Sequence, residues 1–443
     1  MSIDTVLYNT KVFFDGNLVN AGIAIDDGKI VKIAKNTNLP KASRRINLNG
    51  CVTLPGLIDS HVHLRDQELA YKENFVTGTA AAAAGGVTSV IDMPNNKPVT
   101  MSVFSLKERK KLAEKRILVN VGFNSAFPKR FEEIDEIVKN GVIGFKVYMS
   151  NNIGGINVDN DEQLSEAFKK AAKGGVPVFV HAEDQKIIEE RIKEIRKAKQ
   201  NDLESFIFVH SPEAEVKSIQ HVVRLVKKSG VHGHFCHVSS KLGLEAILAA
   251  KKMGLPVTCE VTPHNLLLTS EQYKVHGNFA LTVPPLRTRE DVAILWNGLK
   301  KGFVDLIASD HAPHLFEEKN FLSVWETKPG VPGLETTLSL LLTKVNEGSL
   351  SFSELVRVTA EEPAKIFNLN DRGSLKKDNW ADFVIVDMKR EYKINSSDFF
   401  SKAKYSPFDG LCVKGKAVKT FVNGIQIMDE GEIVSSPGVG KIF

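Results

Sequence analysis

The chain is short of cysteine: four in 443 residues, at Cys51, Cys236, Cys259 and Cys412, with no C-x-x-C pair. That excludes a disulfide framework and suits a reducing compartment. No apolar stretch approaches the roughly 18 residues of a membrane span, so no membrane partner is expected. The opening "MSIDTVLYNTKVFF" has no basic start followed by an apolar run. No signal peptide is therefore expected, and the expected location is cytoplasmic. A large charge excess is also missing, because 58 basic against 53 acidic residues leave a net charge of +5. With no basic stripe and no interleaved aromatics, nucleic acid is not an expected partner. "KERKKLAEKR" (107–116) and "EERIKEIRKAK" (189–199) are rich in charge, but acids are mixed in at helical spacing. Both read as solvated helix faces. There is no short-period repeat and no low-complexity segment.

What is present belongs to a globular protein: 42% hydrophobic and 25% charged residues. Residues 1–51 read as short strands joined by tight turns, with "DGN" at 15–17 and "DDGK" at 26–29 as the turn signals. The segment 376–443 repeats the style, with "ADFVIVD" at 381–387 and "KTFVNGIQIMDEGEI" at 419–433. Neither end has enough helix to cover a sheet alone, which predicts that the two ends pair into one small composite β-sandwich. The middle, 52–375, alternates. Strand-like runs fall near 52–58, 87–91, 118–123, 142–148, 176–180, 233–237, 256–260 and 304–308. Helical patterns between them include 161–173, 213–228, 241–252 and 289–301. Strands alternating with helices in this number predict an α/β fold, a TIM-like (β/α)8 barrel of parallel strands. In such barrels the chemistry collects at the C-terminal ends of the strands.

The polar residues capable of chemistry fall at those ends. "PGLIDSHVHLRD" (55–66) closes the first strand. His61 and His63 are one residue apart, so in an extended chain both point to the same side, and Arg65 shares their parity. "VPVFVHAED" puts His181 at the end of the fifth strand, "GHFCHVSS" puts His237 at the end of the sixth, and "VDLIASDHAPH" puts Asp310 just past the eighth. Imidazoles and a carboxylate gathered at one end of a barrel are borderline ligands that suit zinc best.

"GVIGFKVYMS" (141–150) places Lys146 inside an apolar strand. Its parity groups it with Gly144 and Tyr148, while Phe145, Val147 and Met149 face the covering helices. Lys146 therefore points into the barrel. A protonated ammonium beside two dications is electrostatically untenable. Reaction with carbon dioxide makes the amine a carbamate, an anion with one oxygen for each metal. Two zinc ions with the carbamate, Asp310 and a bridging hydroxide leave the site at about +1, which attracts an anionic small-molecule substrate.

These residues, with "DMPNNKPVT", "EVTPHNLLLT", "PPLR" and "GLETTL", make the chain resemble the cyclic amidohydrolases, and most closely the dihydroorotases. The resemblance runs over nearly the whole chain, strongest over 50–390. It implies a binuclear centre in which His61, His63 and Asp310 hold one zinc, His181 and His237 hold the other, and carboxylated Lys146 and a hydroxide bridge them. It implies reversible cyclisation of N-carbamoyl-L-aspartate to L-dihydroorotate and water in pyrimidine (UMP) biosynthesis. In ring opening the hydroxide attacks the ring carbonyl, and Asp310 acts first as general base and then as general acid. Arg65 can grip the substrate carboxylate bidentately, and the resemblance adds Asn95, His314 and backbone contacts from Pro329 and Gly330. Val283 stands where related dihydroorotases often carry asparagine; a main-chain contact survives that change and a side-chain contact does not.

Asp59, on the His61 face, is a candidate to orient a ligand. Most of the remaining histidines read as structural or exposed, with His264 and His311 nearest the site. The nearest rival on the same ligands is an allantoinase or a hydantoinase of the dihydropyrimidinase type. A rival of another kind is an inactive dihydroorotase-like scaffold that supports aspartate transcarbamoylase. A homo-oligomer and a transcarbamoylase association are both compatible with the resemblance, and no residue decides either.

Overall fold

The computed structural model describes residues 2–443. Eight parallel strands run in sequence order around a barrel: β1 (Leu57–Val62), β2 (Val87–Asp92), β3 (Asn120–Ala126), β4 (Gly144–Tyr148), β5 (Val178–His181), β6 (Gly233–Phe235), β7 (Val257–Val261) and β8 (Leu306–Ile307). The ring closes just beyond β8, where His63 N donates to His311 O at 2.9 Å and Val62 bridges His311 in parallel. The strands are buried along almost their whole length. That is the pattern of parallel strands covered on one face by helices and filled on the other by barrel side chains.

The helices expected at 161–173, 213–228, 241–252 and 289–301 occur as Asp161–Lys173, Pro212–Ser229, Lys241–Lys252 and Arg289–Lys300. Asp161–Lys173 shows why. Asn160 accepts hydrogen bonds from the backbone N–H groups of Glu162 and Gln163, which starts the helix. Leu164, Ala167, Phe168 and Ala171 then recur at three- and four-residue spacing and form its buried face. Phe127 stacks on Phe145 of β4 at 4.7 Å between ring centroids and lies 6.1 Å from Phe168. The outward side of β4 is thus locked against helix, and its alternate residue, Lys146, must face the barrel interior.

The two chain ends build one hydrogen-bonded nine-stranded sheet, the expected composite of both ends. Its halves share a core in which Leu7, Ile23 and Ile25 meet Phe383, Ile385, Val418 and Phe421. The run expected as a single strand over 52–58 is two strands. Val52–Pro55 belongs to the terminal sheet, parallel to Ile3–Phe14 and antiparallel to Phe383–Lys393, and β1 begins only at Leu57. Gly56 makes the crossing: a Cβ there would lie 2.2 Å from the Thr88 side chain. Among the described residues no helix is long and apolar enough to cross a membrane.

A buried polar junction joins the sheet to the floor of the barrel. The Asp382 carboxylate accepts from Asn423 N at 2.6 Å and from Asn120 Nδ2 of β3 at 3.0 Å, and it pairs with Arg372. Arg372→Met leaves that carboxylate without its cation, and the expected cost is about 3–5 kcal/mol of unfolding free energy. Urea unfolding followed by far-ultraviolet circular dichroism measures it; a cost below about 1 kcal/mol, that of an exposed pair, contradicts the assignment.

Candidate metal centre

The C-terminal ends of the strands bring the expected ligands together. His61 lies in β1 and His63 one residue past it; His181 ends β5; His237 and Asp310 follow β6 and β8 by two and three residues. The rings form an unbroken row. Centroids are 5.4 Å apart for His63 and His61, 5.2 Å for His61 and His237, and 4.8 Å for His237 and His181. Asp310 Oδ1 lies 3.4 Å from His61 Nε2 and 3.2 Å from His63 Nε2. The donor atoms of His61, His63 and Asp310 all fall within 4.8 Å of one another. His181 Nδ1 and His237 Nε2 face each other at 3.1 Å, the spacing of two nitrogens on one ion.

The outer nitrogens explain the inward ones. His61 Nδ1 is bonded to Glu260, His63 Nδ1 to Asn95 Oδ1 at 2.7 Å, and His181 Nε2 to Glu183 Oε2 at 2.7 Å. Each oxygen takes the ring proton, so each opposite nitrogen turns a lone pair into the site. His237 Nδ1 is buried without a partner. Burial pulls the His63 pKa down to about 4, and burial with the neighbouring His181 pulls that of His237 well below its ordinary value. These rings are neutral, as metal ligands must be. Burial opposes the charge on Glu183, Glu260 and Asp310. The facing rings, His210 and His181 for Glu183, His61 and His234 for Glu260, and His61, His63 and His237 for Asp310, nevertheless hold these carboxyls well below the usual range. The donor set of His61, His63 and Asp310 fits a divalent metal ion.

Lys146 has no solvent exposure, and its Nζ lies 3.0 Å from Cys236 Sγ and 5.1 Å from the centroid of the Tyr148 ring. Among the described residues no carboxylate stands within ion-pair distance of it. Backbone strain marks the same place: His237, Asp310 and Arg65 adopt φ of 36°, 46° and 53°. That left-handed region is unfavourable for residues with a Cβ and clusters at functional sites.

A cavity of about 240 Å³ opens over the row of histidines. Arg65, Asn95, Tyr148, Val283, Pro329 and Gly330 line it with the ligands. Asn95 thus both faces the cavity and orients His63. His314 is not part of that wall; it stands behind Arg65, with Nε2 3.4 Å from Arg65 Nη2 and 3.1 Å from Pro329 O. The main-chain groups expected to meet substrate are engaged within the protein. Gly330 N donates to Leu281 O at 2.8 Å, and Gly330 O accepts from Lys319 Nζ and Tyr405 Oη, each at 3.0 Å. Gly330 itself is required, since a Cβ there would lie 2.5 Å from Ala312 O.

Asp59 orients no imidazole. Its carboxylate accepts from the backbone N–H groups of His61 and Ser309 and so stitches β1 to the chain after β8. The orienting groups that sequence reasoning missed are Glu260 and Glu183. Each carried a signal: Glu260 is a carboxylate inside an apolar strand, as Lys146 is an amine inside one, and Glu183 shares the parity of His181. Lys319, whose buried amine bonds three carbonyls, of Leu281, Lys328 and Gly330, was legible only once those loops met.

Residues 52–427 match the amidohydrolase family. The dihydroorotase of Methanothermobacter thermautotrophicus is 37% identical over 435 residues, covering 98% of this chain and 96% of that protein. The L-hydantoinase of Paenarthrobacter aurescens is 34% identical over 445 residues, covering 99% and 97%. Among solved structures, an L-hydantoinase (dihydropyrimidinase) from Arthrobacter aurescens shares the fold with a TM-score of 0.96 at 33% identity over 99% of both chains.

Glu260→Gln keeps the size of the group and removes the charge that fixes His61. The expected result is about a 10–100-fold loss of zinc affinity, measured by competition with a chromogenic chelator. Wild-type affinity contradicts the orienting role.

Proposed function

The chain belongs to the amidohydrolase family, and from that premise we propose that it is a dihydroorotase, interconverting N-carbamoyl-L-aspartate and L-dihydroorotate. One observation carries the choice of ring. The Arg65 guanidinium stands in the wall of the cavity that holds the histidine row, with His314 3.4 Å away. This is a cationic grip for a carboxylate beside the reacting ring. Dihydroorotate carries that carboxylate; hydantoin and allantoin do not. The dihydroorotase relative agrees with this reading, and the L-hydantoinase relative names its rival.

His61, His63 and Asp310 would hold one zinc ion, His181 and His237 the other. Bound there, the ions would supply Lewis acidity, polarising the ring carbonyl and lowering the pKa of water. Lys146 would join the two halves. Its amine attacks carbon dioxide, the N–C bond forms, one proton leaves, and the resulting carbamate presents two oxygens. No other group near Nζ offers an anion, and an uncharged amine offers only one lone pair.

Asp310 is placed to move the proton. Its Oδ1 faces His61 and His63, which leaves Oδ2 for transfer. In ring opening Asp310 takes a proton from the attacking water and delivers it to the ring nitrogen as the C–N bond breaks. In cyclisation it takes that proton from the carbamoyl nitrogen and returns it to the departing oxygen. Arg65 holds the substrate carboxylate in both directions, and Val283 gives the wall an apolar edge.

The test is ring opening by zinc-loaded protein with L-dihydroorotate, hydantoin and allantoin run in parallel. Turnover of dihydroorotate, lost on chelation, restored by zinc and reduced about 10²–10⁴-fold in Asp310→Asn, is the expected result. Turnover of hydantoin or allantoin with none of dihydroorotate overturns it.

A further inference from the structure

Lys319, like Lys146, has no solvent exposure, and no step above uses it. It ends the short helical turn Phe316–Lys319. Its Nζ reaches three carbonyl oxygens: Leu281 O at 3.0 Å, Lys328 O at 3.1 Å and Gly330 O at 3.0 Å. An ammonium has three N–H donors and no lone pair, so three acceptors satisfy it completely. Among the described residues no carboxylate stands within ion-pair distance of it. The acid beside it in the chain, Glu318, is taken by Lys72 Nζ at 2.7 Å. The centroid of the Tyr405 ring lies 5.6 Å away, and Tyr405 Oη shares Gly330 O with the amine. Burial pulls the Lys319 pKa down to about 7, while three carbonyl oxygens favour the charged form.

The three carbonyls belong to two stretches of chain that line the cavity over the histidine row. Leu281 leads into Val283, while Lys328 and Gly330 flank Pro329. Val283, Pro329 and Gly330 all face that cavity. One backbone bond joins the stretches directly, from Gly330 N to Leu281 O at 2.8 Å. Leu281 O therefore uses both lone pairs across the gap, one on Gly330 N and one on the amine. Pro329 has no N–H of its own to donate. The carbonyl bonded to its nitrogen, Lys328 O, has no protein donor but Lys319 among the described residues. Without the amine, Leu281 O and Gly330 O keep one donor each and Lys328 O has none. An apolar side chain of the same length would fill this space without desolvating a charge. Packing alone thus gives no reason for an amine here, and the three carbonyls do.

We propose that Lys319 is a positioning residue whose ammonium ties the stretch ending at Val283 to the Pro329–Gly330 stretch and so fixes the spacing of these two parts of the substrate wall. It acts as a cation tethered in an oxygen-lined site, and it touches no substrate itself. The kinetic part of this inference rests on the dihydroorotase reading; the structural part does not.

The experiment uses full-length, zinc-loaded protein. Lys319→Met keeps the length of the side chain and removes its donors. It is expected to raise KM for L-dihydroorotate about tenfold and to change kcat less than about threefold, because a wall that holds substrate and transition state alike acts on KM. Hydrogen–deuterium exchange read by mass spectrometry is expected to quicken about tenfold over 278–283 and 328–332 and to stay as in the wild type over β5. Lys319→Ala opens a space the size of propylammonium, and it serves if Lys319→Met does not fold. Propylammonium chloride is expected to restore most of the KM and of the exchange protection in Lys319→Ala, saturably, with no effect on the wild type. 1-Propanol, of the same size but uncharged, is expected to restore neither. Wild-type KM and wild-type exchange in Lys319→Met overturn the proposal, as does equal rescue by 1-propanol, which would make the amine a filler of space. Faster exchange with an unchanged KM overturns the role at the substrate wall. Absence of dihydroorotate turnover in the wild type refutes the reading of the reaction, and the exchange measurements, with their rescue, still decide the role of Lys319.

Discussion

Lys146 is a lysine with no solvent exposure whose nearest polar partner is a thiol, not a carboxylate. A buried ammonium without a counter-ion is among the costliest arrangements a core can hold. The packing leaves the chain no way out of it. Phe145 and Val147 are pinned against the helix layer, and strand alternation then turns Lys146 inward. Under the proposed function, carboxylation would resolve the conflict, because it would turn the buried amine into an anion among the proposed metal ligands. On this account the other ligands stand where a bridging anion needs them.

The imidazoles in turn depend on groups behind them. Glu260, Asn95 and Glu183 each hold the outer nitrogen of one ring, so the inner lone pairs are set before any ion arrives. His237, Asp310 and Arg65 carry left-handed backbone, and β1 is tied to the chain after β8 through Asp59. The terminal sheet, locked to the barrel floor through Asp382, supports the frame from the opposite end.

Local signals made much of this legible in the sequence. Asp161–Lys173 and Lys241–Lys252 could be read to the residue, because caps and apolar spacing agree there. The ligands could be read because strand parity and a common strand end are properties of short segments. The first strand could not be divided at Gly56, since both halves are buried and apolar and only the Thr88 contact marks the crossing. Glu260 lies 199 residues from the ring it orients and Lys72 242 residues from His314. Such pairs exist only after the barrel closes. The same reason moved His314 from the cavity wall to a place behind Arg65, and turned Asp59 from an imagined ring partner into a backbone clasp.

The central claim is that Lys146 is carboxylated and lies between two metals. Crystals of zinc-loaded protein grown with bicarbonate, measured at the zinc absorption edge, test it most directly. The account predicts two anomalous peaks, one among His61, His63 and Asp310 and one beside His181 and His237, with density for a carboxyl group on Lys146 Nζ between them. A bare amine at Lys146 beside two fully occupied metal positions would contradict it.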